Sequence, residues 1–148
     1  MALASMFSNP IWRTPMAIGL GAIVGAISRY GVVTVCQSQW GLGFPWGTFI
    51  VNVSGCYVMG FVVVFFLNEA IRIHPDVYVM MTTGFLGSYT TFSSYELDTF
   101  VLWQDQNGQI ALFYWIISAA LGIIGLRLGE RTAERFLPPL LPPDLPPD

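Results

Sequence analysis

Hydroxyl groups and glycines crowded inside a long apolar segment mark one stretch of this sequence as its functional centre. Residues 84–96 read Gly-Phe-Leu-Gly-Ser-Tyr-Thr-Thr-Phe-Ser-Ser-Tyr-Glu, with two glycines, two threonines and three serines in thirteen positions. Gly, Ser and Thr lower helix propensity, and the hydroxyls compete for backbone partners. Irregular backbone at membrane depth persists only where it is buried in protein or lines a polar cavity. Ser93-x-x-Glu96 has the form of a capping box, which would restart a helix beyond such a break. Other reactive groups are sparse. Cys36 and Cys56 fall in apolar segments and read as small buried side chains, not as a disulfide framework. His74, beside Pro75 in a polar loop, reads as solvated and inert. There is no Cys/His cluster for a transition metal and no plausible catalytic array, so an enzyme is not expected.

The elements that must position this stretch are hydrophobic helices. The 148 residues are 54% hydrophobic and only 10% charged, against about 25% charged in ordinary soluble domains. All six basic residues are Arg, the net charge is -3, and nothing points to nucleic acid. A lead-in over residues 1–14 carries Trp12 as an interfacial anchor. Spans are expected over residues 16–35, 47–67, 77–103 and 110–126, since about 20 apolar helical residues cross a bilayer core. The third is long for one crossing, which fits a helix partly unwound over 84–95. The fourth continues as helix over 127–136, so the transmembrane domain covers 15–136. The Pro-rich tail, 137–148, is expected to be extended and disordered. Gly21-xxx-Gly25, Cys56-xxx-Gly60, Ser118-xxx-Gly122 and Gly125-xxx-Gly129 allow close helix approach.

Four spans put both termini on one side. Arg13, Arg72, Arg127, Arg131 and Arg135 flank that side and none flanks the other, so the positive-inside rule makes both termini cytoplasmic. Arg29 is the one charge inside the first span. It reads either as a vestibule charge that attracts anions or as a snorkelling anchor.

Gly25-Ala26-x-x-Arg29-Tyr30, Gly47-Thr48-x-x-Val51-Asn52 and Gly84-x-x-Gly87-x-x-Thr90-Thr91-Phe92-Ser93 occur in that order, followed by Tyr114-x-x-x-Ser118. Over residues 16–130 this resembles the CrcB/Fluc fluoride channel family. The resemblance implies passive, selective fluoride export across the plasma (inner) membrane by an antiparallel, dual-topology dimer of four-helix subunits, each with a third helix broken near its middle. It implies a central structural sodium ion held by the backbone carbonyls of Gly87 and Thr90. It places Asn52, Phe92, Tyr95, Tyr114 and Ser118 on the fluoride pathway, with Arg29 and Thr48 near its vestibule. Such donors suit fluoride, since amide, hydroxyl and ring-edge groups replace its water without the grip of a full charge.

The sequence departs from the family pattern where Tyr95 stands for a second phenylalanine, Ser88 for a common glycine, and Glu96 is extra beside the usual acid, Asp98. The five-to-zero Arg bias favours one orientation, so the partner is either an identical chain or an oppositely oriented homologue. The rival reading is a small proton-coupled multidrug or guanidinium exporter. It needs a carboxylate in the first span, where this chain has only Arg29. A non-transporting membrane subunit would have no use for a polar break aligned with Asn52 and Ser118.

Overall fold

The computed structural model describes residues 10–68, 71–105 and 108–137. Residues 1–9 of the lead-in, all of the tail beyond Leu137, and parts of the loops at 69–70 and 106–107 lie outside the described residues. The described chain is all-helical. Helix α1 spans Pro10–Trp40, α2 Trp46–Leu67 and α3 Pro75–Val79. A π-helical segment, Met80–Leu86, follows, then α4 Gly87–Tyr89, α5 Phe92–Asp105 and α6 Gly108–Phe136. With 75–105 taken as one segmented rod, these make four helices. Three of them, α1, α2 and α6, are long and apolar enough to cross a membrane.

Helix α1 overruns the expected 16–35 span at both ends, and it takes residues 10–14 out of the lead-in. At its start, Pro10 occupies a first-turn position where a missing N–H costs nothing. At its end, Gly41 adopts φ +74° and its N–H closes on the Gln37 carbonyl at 3.0 Å. That left-handed cap is open to glycine at little cost. Helix α2 keeps its expected bounds to within a residue.

Three other expectations are corrected. Unwinding does not extend over 84–95: residues 80–86 keep a wide π turn, 87–89 are α-helical, and only Thr90 and Thr91 leave the helix, Thr90 at φ -83°, ψ 161°. Nor does Ser93 cap α5. The Thr91 hydroxyl accepts the Ser94 N–H at 3.1 Å, one residue before the first helical position, so the cap falls where the chain is already extended. His74 is not inert either. Its Nδ1 accepts the Asp76 N–H at 3.2 Å and caps α3.

The rods meet through small residues. A Cβ on Gly25 would collide with the Phe85 carbonyl, and one on Gly84 would lie 2.5 Å from the Ile18 carbonyl. Backbone contact between α1 and the π segment therefore requires glycine on both sides. Gly60 and Gly129 do the same for α2 against α6, facing Leu126 and Tyr57.

At one end of the bundle the start of α1 meets the start of α3. Arg13 pairs with Asp76, and the Thr14 hydroxyl donates to the same carboxylate at 2.6 Å. The Thr14 bond, aided by the Arg13 charge against a desolvation cost, holds the Asp76 carboxyl below the usual carboxylate range. At the other end Trp40, Phe44, Trp46 and Phe49 cluster, and Phe44 sets its ring edge-on to Tyr114 at 5.4 Å. Much of the apolar surface stays outside, including Ile23, Ile27, Leu97, Phe100, Phe113 and Ile123. Exposed apolar area on this scale belongs against lipid or another chain.

Candidate ion site at the helix interruption

The interruption at Thr90 and Thr91 is held from α2. Asn52 donates from Nδ2 to the Thr91 carbonyl at 3.0 Å and accepts the Thr91 N–H on Oδ1 at 2.8 Å. A primary amide is well shaped for this, because it presents one acceptor and donors side by side, as a peptide does. One Nδ2 hydrogen is left over.

The clamp has a consequence for two carbonyls. In a continuing helix the Gly87 carbonyl would accept the Thr91 N–H, and the Thr90 carbonyl would accept the Ser94 N–H. Here the first N–H goes to Asn52 and the second to the Thr91 hydroxyl. The interruption thus diverts the helical donors of both Gly87 and Thr90. Nearby hydroxyls are satisfied locally: Thr90 Oγ1 donates to the Leu86 carbonyl at 3.0 Å, and Thr91 Oγ1 also meets Ser93 and Ser94.

Two overlapping clefts open beside the clamp, of about 270 and 330 Å³. Both are lined by Asn52, Cys56, Phe92, Tyr95 and Leu126; Ser118 and Gly122 are among the further residues of the larger, Thr90 and Thr91 among those of the smaller. The structure therefore brings Asn52, Phe92, Tyr95 and Ser118 to one wall. Phe92 is 74% exposed and lies 5.9 Å, centroid to centroid, from Tyr95. Tyr95 is buried and donates its hydroxyl to the Trp115 carbonyl at 2.5 Å. The Ser118 hydroxyl is buried without a partner among the described residues.

The remaining expected site residues lie elsewhere. Tyr114 lines neither cleft; it is fully buried behind Tyr95, ring centroids 5.5 Å apart, with its hydroxyl also unpartnered among the described residues. Thr48 lines a separate cavity of about 280 Å³ together with Gln37, Trp46 and Asp98. Arg29 is half-buried on α1 and lines none of these spaces. Sequence reasoning missed Thr91 as cap and clamp partner and Cys56 as a cleft residue. The signal for Thr91 was the hydroxyl directly before Phe92. Cys56, one helical turn after Asn52, shares its face.

Comparison with known proteins identifies the family. Residues 16–130 match the family described as CrcB-like protein, Camphor Resistance (CrcB). The chain belongs to the CrcB family. Among its CrcB relatives, a protein of Trichormus variabilis named fluoride-specific ion channel FluC is 44% identical over 124 residues, covering 84% of this chain and 90% of the relative. One of the same name from a Synechococcus species is 45% identical over 121 residues, covering 82% and 92%. A third, from a Roseiflexus species, is 38% identical over 114 residues, covering 77% and 91%. The matched CrcB region contains the whole clamp and both clefts and stops six residues short of the end of α6 at Phe136. It is a multi-pass membrane protein of the channel type, not an enzyme.

Proposed function

We propose that this chain forms a passive, fluoride-selective channel. The observation that carries the reading is the Asn52–Thr91 clamp beside a cleft walled by Asn52, Phe92, Tyr95 and Ser118, in a CrcB chain whose relatives are named fluoride-specific channels. Fluoride is small and strongly hydrated, so entry requires donors in place of water, and exit requires that no full charge hold it. The spare Nδ2 hydrogen of Asn52 and the Ser118 hydroxyl supply such donors. The rims of Phe92 and Tyr95 supply weakly positive ring edges. Tyr114 serves from behind Tyr95, where its hydroxyl, without a partner among the described residues, is one turn from Ser118 on α6. Thr48 and Arg29 belong to the approach, Thr48 in its own vestibule cavity.

In this reading the rod from Pro75 to Asp105 carries a single third span, residues 77–103, broken at Thr90 and Thr91. Two subunits pair in antiparallel fashion and each covers the open side of the other's cleft. The partner is a second copy or an oppositely oriented homologue. The Gly87 and Thr90 carbonyls, their helical donors diverted, fit a hard monovalent cation. A bound sodium ion would supply a fixed positive charge where the two breaks meet. The chain sits in the plasma (inner) membrane, and the Arg bias favours cytoplasmic termini. A proton-coupled exporter gains no support, because α1 carries no carboxylate.

The test is fluoride tolerance of bacteria stripped of their own fluoride exporter. Cells expressing the chain should grow at fluoride concentrations that stop cells expressing the Asn52→Ala variant. Equal sensitivity, with both proteins present in the membrane and with or without a co-expressed, oppositely oriented homologue, would refute the reading.

A further inference from the structure

Two adjacent residues of α5, Tyr95 and Glu96, reach the same residue of α6. Tyr95 donates its hydroxyl to the Trp115 carbonyl at 2.5 Å, and the Trp115 indole N–H donates to Glu96 Oε1 at 3.1 Å. Neighbouring residues on a helix project about 100° apart. Tyr95 and Leu102 already pack α5 against Ala111 and Tyr114 of α6; two bonds to one residue from two azimuths add a directional constraint on that angle.

The angle matters because α5 starts directly after the non-helical Thr90 and Thr91, so the rod before the interruption does not set it by continuous helical hydrogen bonding. Phe92 shares a face with Tyr95, three positions on, and is too exposed to be held by packing. We infer that Trp115 and Glu96 form a rotational clasp that aims the rings of Phe92 and Tyr95 at the cleft. They are positioning residues, outside the cleft wall itself. This rests on the channel reading above.

The clasp makes a distinct prediction for conservative changes. Glu96→Gln keeps the side-chain oxygen that accepts the indole N–H; Glu96→Leu loses it; Trp115→Phe loses the donor. Fluoride and chloride efflux from liposomes holding each full-length variant should show Glu96→Leu and Trp115→Phe slowed about fivefold for fluoride, with a lower fluoride-to-chloride ratio. Glu96→Gln should stay within about twofold of the unmodified chain. The Trp115→Phe/Glu96→Leu double variant should be no worse than either single, as expected of two groups in one bond. Monodisperse elution of each variant in detergent excludes unfolding as the cause. Equal loss in Glu96→Gln and Glu96→Leu, additive losses in the double variant, or an unchanged ion ratio would overturn the clasp. No fluoride efflux from the unmodified chain, either alone or reconstituted with an oppositely oriented homologue, would overturn the channel reading and the clasp with it, so the two failures are told apart.

Discussion

Asn52 and Thr91 exchange a pair of hydrogen bonds, N–H to Oδ1 at 2.8 Å and Nδ2 to carbonyl at 3.0 Å, across 39 residues of sequence. A side chain from α2 thereby does for both backbone groups of one residue what a neighbouring strand does in a sheet. Without it, the extended backbone after α4 would leave both groups of Thr91 unpaired in an apolar surrounding.

Asn52→Ala should therefore cost more than one ordinary bond. Each buried group left unpaired costs about 1–3 kcal/mol, so the thermal midpoint in detergent should fall by several degrees and fluoride efflux by more than about tenfold. Asn52→Asp keeps the acceptor and loses the donor. It should recover part of the stability and little of the flux, as seen by parallel melting and electrode traces.

Thr91 and Ser93 separate cap from bystander. Thr91→Val removes the hydroxyl that receives the Ser94 N–H and should destabilise by about 1 kcal/mol, the usual value of an N-cap. Thr91→Ser should restore it. Ser93→Ala should stay within about 0.5 kcal/mol of the unmodified chain. Denaturant titrations of the three variants decide the matter.

Close packing of α1 on the π segment gives a steric prediction. Gly25→Ala sets a methyl group into the Phe85 carbonyl, which should cost about 1–3 kcal/mol or prevent assembly. Gly19 and Gly31, on the same helix, have nothing within 4 Å of an added Cβ. Gly19→Ala and Gly31→Ala should elute and melt like the unmodified chain in size-exclusion and thermal assays.

The Arg13–Thr14–Asp76 cluster at the membrane face gives a pH dependence. Asp76 has its pKa lowered in the folded chain, so the folded state binds fewer protons than the unfolded state as pH falls past the ordinary carboxylate range. Stability from this group is fully present above that ordinary value, about 3.9, and is lost as pH falls through the lowered folded value. A melting-point series from pH 7 to pH 2.5 should show this fall, and Asp76→Asn should remove its share of the slope. An identical slope in the variant would contradict the assignment.

The helices and the site were legible to different degrees. Continuous apolar runs made α2 readable almost to the residue, because length and hydropathy alone define a span. The ends of α1 were not, since Pro10 and Gly41 act through backbone geometry and not through hydropathy. Ser, Thr and Gly crowding located the interruption but not its extent. Which hydroxyl caps α5 depends on where the chain turns extended, and a clamp from α2 fixes that point. Asn52, Phe92, Tyr95 and Ser118 lie on one cleft wall; the family resemblance, and not spacing alone, named them together. Tyr114 and Arg29 fall away from the cleft because burial behind Tyr95 and placement on α1 are tertiary facts that spacing does not contain.

The most direct measurement is anion efflux from liposomes containing the purified chain, followed with a fluoride electrode and then a chloride electrode. Sodium and pH would be held equal on both sides, with Asn52→Ala alongside. Rapid fluoride release without chloride release or a proton gradient, lost in Asn52→Ala, is the expected result. Fluoride release that requires a proton gradient, or that matches chloride release, would contradict a passive fluoride-selective pathway at this site.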